Sequence, residues 1–356
     1  MTGSKRVLVV GLGNMGMSHA RAYQRIDGFE VAAVCERNIA QRRLPGALAR
    51  AERFADFHQA LEQTKPDVVS INTWADTHAE YAIRAMEAGA HVFVEKPLAE
   101  TVADAASVVE AARRTGRKLV VGYILRHHPS WTRFIELAKD LGSPLVFRMN
   151  LNQQSSGAAW EAHKRLLQSL SPIVDCGVHY VDVWCQITRA RPVSVHAQGA
   201  RLTDDIAPDM YNYGHFHVAF DDGSVGWYEA GWGPMMSETA YFVKDVIGPK
   251  GSVSIVMQET ESALRSADIN AHTKTNRIVL HHSGLNAEGE LARRDEYFDT
   301  ADEPDHDMLC EREQRFLLRA IEEDLDLRDH MEDAVKSLRI VLAADESVRS
   351  GMLVTL

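Results

Sequence analysis

Short apolar runs alternate with amphipathic stretches through the first third of the chain. The apolar runs are rich in β-branched residues and are typical of strands covered on both faces of a sheet. They occupy residues 7–10, 31–35, 68–71, 91–94 and 119–121. Between them, apolar residues recur at intervals of three and four, which predicts helices with one buried stripe. Because strand and helix alternate at this spacing, the sequence predicts an α/β fold with a doubly wound parallel sheet.

Capping patterns predict where two of these helices begin and end. Thr77 and Glu80 have the spacing of a capping box, so a helix is expected to begin there and to end before Gly89. A second apolar stripe begins at Val102 and stops before Gly116.

After about residue 122 the periodicity changes to the alternation of half-buried strands. Six segments follow it, namely 145–152, 193–202, 213–220, 224–232, 241–247 and 252–256. Asp221-Asp222-Gly223 predicts a tight turn between two of them. We expect a second, α+β domain with a large open antiparallel sheet, helices on one face and His215 and His217 on the free face. The polar segment 258–305 is expected to form a loop-rich excursion.

Composition and charge exclude several classes of partner. The 356 residues are 45% hydrophobic and 25% charged, and the formal charge is −11. Binding to a phosphate backbone needs clustered cations, so we expect no nucleic-acid partner. The apolar runs near the start are too short for a bilayer span or a secretory signal, and the four cysteines form no CxxC pair. We expect a cytoplasmic protein.

The first predicted strand leads directly into the glycine-rich segment Gly11-Leu12-Gly13-Asn14-Met15-Gly16, which a predicted helix follows. In dinucleotide-binding units these three glycines permit the turn, the approach of a pyrophosphate and close helix packing, while amides at the helix start attract the phosphates. Glu36 ends the second strand twenty residues after Gly16, where a carboxylate accepts the ribose hydroxyls. Glu36 favours NAD, and the neighbouring Arg37 leaves NADP open.

Further segments carry a resemblance to a known family. They are Thr73 to His78, Glu95-Lys96-Pro97, Gly122 to Pro129, the D-x-G-x-H-x-x-D pattern from Asp175 to Asp182, and the stretch from Asp333 to Gly351. In this order they resemble the Gfo/Idh/MocA family of glucose–fructose oxidoreductases and inositol dehydrogenases. The resemblance implies an NAD-binding Rossmann domain over 1–122 and a substrate-binding and oligomerisation domain over 123–356. It also implies a last helix able to pack back on the Rossmann domain, and a homodimer or homotetramer formed through the open sheet face.

The chemistry of the D-x-G-x-H-x-x-D pattern is that of a general base. In a helix over about 173–187, Asp175, His179 and Asp182 would share one face. A histidine oriented by a carboxylate accepts protons near neutral pH, and a lysine stabilises a developing alkoxide. Together with the resemblance, this predicts that Lys96, Asp175 and His179 catalyse oxidation of a hydroxyl on a sugar or an inositol-like polyol. Ser169 to Pro172 replaces a glycine-rich stretch found in many relatives, so the substrate is left open here.

The predicted binding residues form two groups. Cofactor contacts are expected at Gly11, Gly13, Asn14, Met15, Gly16, Glu36, Arg37, Thr73, His78, Glu95, Lys96 and Arg126. A polyol needs hydrogen bonds and an aromatic wall, so substrate contacts are expected at Lys96, Tyr123, Asn152, Trp160, His163, Asp175 and His179, with Gln154 and Tyr211 as further candidates. No metal site is predicted, because the histidine pairs lack further ligands nearby in sequence.

Two other functions stay open from sequence. In one, bound NAD is used transiently for a redox-neutral glycoside cleavage or epimerisation, and net NADH formation would exclude it. In the other, the protein is a non-catalytic sensor of a sugar or of NAD. The complete set of Lys96, Asp175 and His179 argues against a sensor.

Overall fold

The chain folds into two compact units in the computed structural model, which describes residues 3–238, 243–256, 266–268, 273, 275–300 and 303–356. The first unit comprises Met1–Ile124 and Pro304–Val335, and the second comprises Leu125–Glu303 and Lys336–Leu356.

The first unit contains a parallel sheet in the order β3-β2-β1-β4-β5-β6. Its strands are β1 (Lys5–Val10), β2 (Phe29–Cys35), β3 (Glu52–Phe54), β4 (Val68–Ile71), β5 (His91–Val94) and β6 (Leu119–Val121). This confirms the predicted α/β class and its five apolar strands. Strand β3 was not predicted, because it has only three residues, two of them exposed, and so has no apolar run.

Four helices lie between these strands, namely α1 (Asn14–Arg25), α2 (Phe57–Thr64), α3 (Ala75–Glu87) and α4 (Val102–Thr115). The predicted capping box is wrong, because α3 begins two residues before Thr77 and its N-cap residue is Trp74. Within the first turn, the Thr77 hydroxyl donates to the Trp74 carbonyl at 3.0 Å. The predicted ends of both helices are confirmed: Gly89 and Gly116 have φ values of +96° and +65°, which glycine adopts without strain.

The second unit contains a sheet in the order β14-β13-β12-β11-β7-β10-β9-β8-β15. Its strands are β7 (Val146–Gln154), β8 (Pro192–Ala200), β9 (Tyr213–Phe220), β10 (Val225–Gly233), β11 (Lys244–Gly248), β12 (Gly251–Val256), β13 (Arg277–His282), β14 (Glu296–Asp299) and β15 (Val354–Thr355). The large open sheet is confirmed, but it is mixed rather than purely antiparallel, since β7 and β10 pair in parallel. All the other neighbours among the described strands are antiparallel.

The described part of 258–305 includes two further strands of this sheet, so the expected loop-rich excursion is wrong there. On β13, the His281 ring lies 2.8 Å from the Asp295 carboxylate, and the His282 ring lies 2.7 Å from that of Glu296. His281 thus contacts the residue before β14 and His282 contacts the first residue of β14, so polar side chains lie where apolar ones would have indicated strands. Residues 258–265, 269–272, 274 and 301–302 of the expected excursion, and 241–242 of a predicted strand, lie outside the described residues.

Helices α5 (Pro129–Lys139), α6 (Gly157–Leu166) and α7 (Pro172–Ile187) belong to the second unit. The predicted helix over about 173–187 is observed as α7, which begins one residue earlier, at Pro172, and the Ser171 hydroxyl accepts the Val174 amide at 3.3 Å. On the sheet side, Tyr180 of α7 stacks on Tyr228 of β10, with ring centroids 5.4 Å apart. A Cβ at Gly177 would lie 3.1 Å from the Tyr228 ring, so glycine permits the close approach of α7 to the sheet.

The last two helices are α8 (His306–Glu322) and α9 (Arg328–Ser350). Leu317 and Ala320 of α8 belong to the core of the first unit. The beginning of α9 also belongs to that unit, where the His330 ring accepts the Val121 amide at 2.8 Å. Further along α9, the Ser347 hydroxyl accepts the Ala197 amide in the second unit at 2.9 Å. None of the helices described is long and apolar enough to cross a membrane.

Candidate active site

The glycine-rich segment forms a tight turn between β1 and α1. Gly11 has a φ of +79°, and a Cβ there would lie 2.6 Å from the Asn72 carbonyl oxygen. A Cβ at Gly16 would lie 1.9 Å from the Gly11 carbonyl oxygen, whereas one at Gly13 would meet nothing within 4 Å. Gly11 and Gly16 are therefore required by the fold of the turn, while Gly13 borders open space.

The start of α1 is suited to an anion. Gly13 is its N-cap residue, no side chain caps the helix, and its first turn contains no acidic residue. Gly13 and Asn14 are exposed and Met15 is half-buried, so this end of the helix faces solvent. The geometry fits the pyrophosphate of a dinucleotide, which backbone amides and the helix dipole attract.

Glu36 lies beside this turn, at the end of β2. Its Oε2 atom accepts the Leu12 amide at 2.9 Å, and the Arg42 guanidinium lies 4.0 Å away. The carboxylate is half-buried, and Arg37 is exposed. This arrangement fits a carboxylate that is held in place and accepts ribose hydroxyls.

Two of the predicted cofactor residues follow β4, with Thr73 in the loop and His78 in the first turns of α3. Thr73 is half-buried, and its hydroxyl lies 2.6 Å from that of Thr77. His78 is buried, with its ring nitrogens 2.7 Å from the Pro97 carbonyl and 3.1 Å from the Thr73 carbonyl. Trp74 between them is 47% exposed. Trp74 was not among the predicted site residues, although a large aromatic residue directly after a strand end is a signal that could have indicated it.

Lys96 follows β5 and is half-buried between two buried neighbours, Glu95 and Pro97. The Glu95 carboxylate contacts the His19 ring at 2.7 Å and accepts the Lys96 amide at 3.2 Å. The structure thus engages Glu95 within the protein and leaves Lys96 the more accessible of the two. Tyr123, predicted to contact substrate, is fully buried in the first unit.

The second unit presents Asp175 and His179 together on α7. From Ser171 to Cys185, a stretch described throughout, these two residues alone are not buried. They are four residues apart, so their side chains lie one above the other on the same face of the helix. The helix therefore offers one acid and one imidazole from an otherwise buried surface.

A polar and aromatic cluster surrounds Asp175. The Gln153 side-chain oxygen accepts the Trp232 indole N–H at 2.7 Å, and the Cys176 thiol lies 3.6 Å from the same oxygen and 3.7 Å from the Asp175 carboxylate. The His163 ring stacks on Trp232 with centroids 4.6 Å apart. Gln153 and Trp232 were not predicted. The alternation of β7, with Phe147 and Met149 buried, could have shown that Gln153 faces the same way.

His163 titrates abnormally. Burial lowers the pKa of its ring to about 4, and the nearby Asp175 carboxylate offsets only part of that effect. One ring nitrogen lies 2.9 Å from the Ser155 hydroxyl. His163 is therefore neutral at physiological pH, where it can donate or accept hydrogen bonds.

Asp182, which is buried, forms an ion pair with the half-buried Arg126. The Arg126 Nε and Nη2 atoms donate to the two Asp182 oxygens at 2.8 and 2.6 Å, and Asp182 is fully buried. Gln186 donates to the same carboxylate at 3.0 Å. The guanidinium predicted to contact the cofactor is thus engaged with the end of the D-x-G-x-H-x-x-D pattern.

The remaining predicted substrate residues are dispersed. Asn152 pairs with Gly231 on the sheet and contacts Glu229 at 2.5 Å, on the opposite face from Gln153. Trp160 is buried, and Tyr211 donates to Asp345 at 2.6 Å. Gln154 donates to the Met236 carbonyl at 2.7 Å. The structure brings none of these four side chains into hydrogen-bond contact with Asp175 in the interactions described above.

One buried trio has the spacing of metal ligands. Among the described residues, His19, Cys310 and Glu313 place one potential ligand atom each within 4.8 Å of the others. Both ring nitrogens of His19 are engaged, one with Glu95 at 2.7 Å and one with Gln314 at 2.9 Å. Burial also raises the pKa of the Glu313 carboxyl well above its usual range, so the trio is poorly suited to a cation.

The sequence is similar to those of two inositol dehydrogenases. Inositol 2-dehydrogenase of Klebsiella pneumoniae subsp. pneumoniae is 31% identical over 186 residues, which are 51% of this chain and 53% of the relative. The scyllo-inositol 2-dehydrogenase (NAD(+)) of Bacillus subtilis is 28% identical over 264 residues, which are 70% of this chain and 73% of the relative. The chain spans about half the length of several of the inositol dehydrogenases that it matches.

A solved structure with a similar fold and two matching family models point to the same group of proteins as these sequence relatives. A structure of scyllo-inositol dehydrogenase from Lactobacillus casei, with NAD(H) and scyllo-inositol, has a similar fold, with a TM-score of 0.75, 19% identity and 99% of each chain covered. Residues 5–123 match the family model of oxidoreductases with an NAD-binding Rossmann fold, and residues 136–254 match that of the GFO/IDH/MocA C-terminal domain. The chain belongs to the Gfo/Idh/MocA family of NAD-binding oxidoreductases.

Proposed function

We propose that this protein is an NAD-dependent dehydrogenase that oxidises one hydroxyl of a sugar or an inositol-like cyclic polyol. The observation that carries the proposal is that Asp175 and His179, one turn apart on α7, are the two residues between Ser171 and Cys185, a stretch described throughout, that are not buried. The inositol dehydrogenases among the relatives support the substrate class.

The proposed cofactor residues lie around the start of α1. The open space at Gly13 and the uncapped amides of α1 would hold the pyrophosphate, and Glu36 would accept the ribose hydroxyls. A carboxylate at that position repels a 2′-phosphate, which favours NAD over NADP. When bound, NAD supplies the acceptor for the hydride that leaves the substrate carbon.

Residues of the chain itself would accept the hydroxyl proton and stabilise the developing negative charge. His179 accepts the hydroxyl proton, and Asp175 stabilises the imidazolium that forms. Lys96 donates a hydrogen bond to the same oxygen and stabilises its negative charge more strongly in the transition state than in the ground state.

The cluster around Asp175 fits a polyol. Its amide, its neutral imidazole and its indole combine hydrogen-bonding groups with an aromatic surface, as ligand sites for sugars require. We therefore add Gln153, His163 and Trp232 to the proposed substrate-binding residues.

The open face of the large sheet is proposed to form a homodimer or homotetramer. Val146 on β7 lies opposite Val225 on β10 and Ile247 on β11, and all three side chains are exposed. An apolar row on a sheet face is typical of an assembly surface.

A substrate panel tests the proposed activity. Inositols, aldoses and uronic acids are each assayed with NAD and with NADP, and reduced cofactor is followed by its absorbance at 340 nm. We expect net NADH formation with at least one polyol or sugar. Product formation without NADH would instead favour the redox-neutral use of NAD, and binding without turnover would favour a sensor.

A further inference from the structure

The residues on both sides of Lys96 are held by buried histidines. Lys96 is half-buried, while Glu95 before it and Pro97 after it are buried. His19, from α1, contacts Glu95, and His78, from α3, contacts Pro97. Both histidines belong to the first unit, and their exposed fractions are 0% and 1%.

The contact before Lys96 has a defined direction. The amide nitrogen of Gln314, on α8, lies 2.9 Å from His19 Nδ1, and an amide nitrogen can only donate. His19 Nδ1 is therefore the acceptor, which leaves the proton of the neutral ring on Nε2. Nε2 then donates to Glu95 Oε1 at 2.7 Å, and Glu95 Oε2 accepts the Lys96 amide at 3.2 Å. A chain of hydrogen bonds thus runs from α8 to the backbone of Lys96.

The contact after Lys96 is also directed. Burial lowers the pKa of His78, so its ring is neutral near pH 7 and carries one N–H. Two carbonyl oxygens face the ring, that of Pro97 at 2.7 Å from Nδ1 and that of Thr73 at 3.1 Å from Nε2. The shorter distance assigns the proton to Nδ1, which donates to Pro97.

We propose that His19 and His78 are positioning residues, which together fix the backbone of Lys96 and so aim its side chain. The inference rests on the role of Lys96 in the proposed function. Catalytic groups must be held close to the productive geometry, and a misplacement of about 1 Å costs roughly 100-fold in rate. His19 also lies on the helix whose first turn would bind the pyrophosphate, so it links the cofactor-binding helix to the lysine.

Asparagine and glutamine substitutions test each contact separately. The glutamine amide reaches about as far as Nε2 of histidine, whereas the asparagine amide reaches about as far as Nδ1. His19→Gln and His78→Asn therefore keep a donor directed at Glu95 and at Pro97, while His19→Asn and His78→Gln lose it. Each position thus has a matched pair of variants, and the two positions are tested independently.

We expect His19→Asn and His78→Gln to lower kcat roughly 10- to 100-fold. KM and the NAD dissociation constant should change by less than about threefold, because both side chains are buried against protein groups. For His78 this proposal replaces the cofactor contact that the sequence predicts. His19→Gln and His78→Asn should recover most of the rate. Thermal unfolding checks that each variant is folded. If neither the asparagine nor the glutamine variant folds at one position, the two variants at the other position test the proposal.

The Lys96→Met variant distinguishes a positioning role of the two histidines from a merely structural one. If the histidines act through Lys96, then adding His19→Asn or His78→Gln to Lys96→Met should change the residual kcat by less than about twofold. An equal loss for both members of a pair, or a full loss that persists beside Lys96→Met, would overturn the proposal. A low kcat for Lys96→Met beside normal rates for His19→Asn and His78→Gln would overturn the positioning role alone. A wild-type rate for Lys96→Met would overturn the role of Lys96 itself.

Discussion

Among single residues, the pair of Arg126 and Asp182 has the clearest energetic consequence. Two charge-assisted hydrogen bonds join them at 2.6 and 2.8 Å, and Asp182 has no exposed surface. The net worth of such a pair is modest, since both charges lose water on burial. Removal of one partner is far more costly, because the other charge is then buried without compensation.

We expect Asp182→Asn to lower the free energy of unfolding by about 3–5 kcal/mol, since it removes the buried carboxylate that accepts two hydrogen bonds from Arg126 and one from Gln186. Urea denaturation measures this change. The matched control is Glu311→Gln, which removes a carboxylate from an i,i+4 pair on α8 whose arginine, Arg315, is exposed, and it should cost less than about 1 kcal/mol. Equal losses for the two variants would show that the Arg126–Asp182 pair is not specially important.

The depressed pKa of His163 makes stability depend on pH. The unfolded ring binds a proton below pH 6.5, whereas the folded ring does so only near pH 4. Between these two pH values the unfolded state binds more protons than the folded state. The free energy of unfolding therefore increases as the pH rises from 4 to 6.5, by at most about 1.4 kcal/mol per pH unit, and decreases again on acidification. His163→Phe, which can still stack on Trp232, should reduce the slope between pH 6.5 and 4 in urea titrations. An unchanged slope would contradict the assignment.

Residue types and spacing could predict which side chains carry the chemistry, but not what each one faces. Asp175 and Asp182 belong to one pattern, and helical spacing places both near His179. Only the position of Arg126, 56 residues away in sequence, makes Asp182 a buried partner. Likewise, Asn152 and Gln153 differ by one residue and therefore lie on opposite faces of β7.

At the level of secondary-structure elements, the turn between β1 and α1 requires glycine for two different reasons: the packing of the turn itself at Gly16 and the proposed binding of NAD at Gly13. Gly16→Ala would place a Cβ against the Gly11 carbonyl, whereas Gly13→Ala has free space in the protein alone. We expect Gly16→Ala to lower the melting temperature. Gly13→Ala should leave it unchanged but weaken NAD binding by about tenfold or more, because its methyl group would meet the pyrophosphate. Calorimetry and NAD titration distinguish the two, and a wild-type NAD affinity for Gly13→Ala would contradict the proposed phosphate position.

Elements with a strong local pattern could be predicted closely. The apolar runs predicted β4, β5 and β6 with their observed bounds, and the helix predicted over about 173–187 agrees with α7 to within one residue. The start of α3 was misplaced because its N-cap, Trp74, makes no side-chain hydrogen bond to the helix and so leaves no capping signal. The parallel pairing of β7 with β10 depends on contacts between strands far apart in sequence, and no local pattern encodes it.

For the whole molecule, the open sheet face carries the prediction about assembly. Val146→Lys places a charge at the centre of the apolar row with Val225 and Ile247. We expect this change to convert the oligomer to monomers, because a buried unpaired charge strongly opposes association. Light scattering after size-exclusion chromatography measures the mass. Gln63→Lys, which adds the same charge to the exposed surface of α2, should keep the wild-type mass; a monomeric wild type, or an oligomeric Val146→Lys, would contradict the proposed surface.

The change of periodicity after about residue 122 predicted two domains and the class of each. The sequence has no local signal that residues 304–335 belong with the first unit, because that placement depends on packing of Leu317 and Ala320 into a core formed mainly by the first 120 residues. The net charge of −11 excludes little about the ligand, since backbone amides and a helix dipole attract a pyrophosphate whatever the charge of the whole chain.

His179 is proposed to be the general base of an NAD-dependent oxidation. The most direct test is the rate of NADH formation, with the best substrate of the panel, by the wild type and by His179→Ala. The exposed His58→Ala on α2 serves as the matched control. We predict that kcat falls roughly 10²- to 10⁴-fold for His179→Ala and stays at the wild-type value for His58→Ala. A near-wild-type kcat for folded His179→Ala would show that His179 is not the general base.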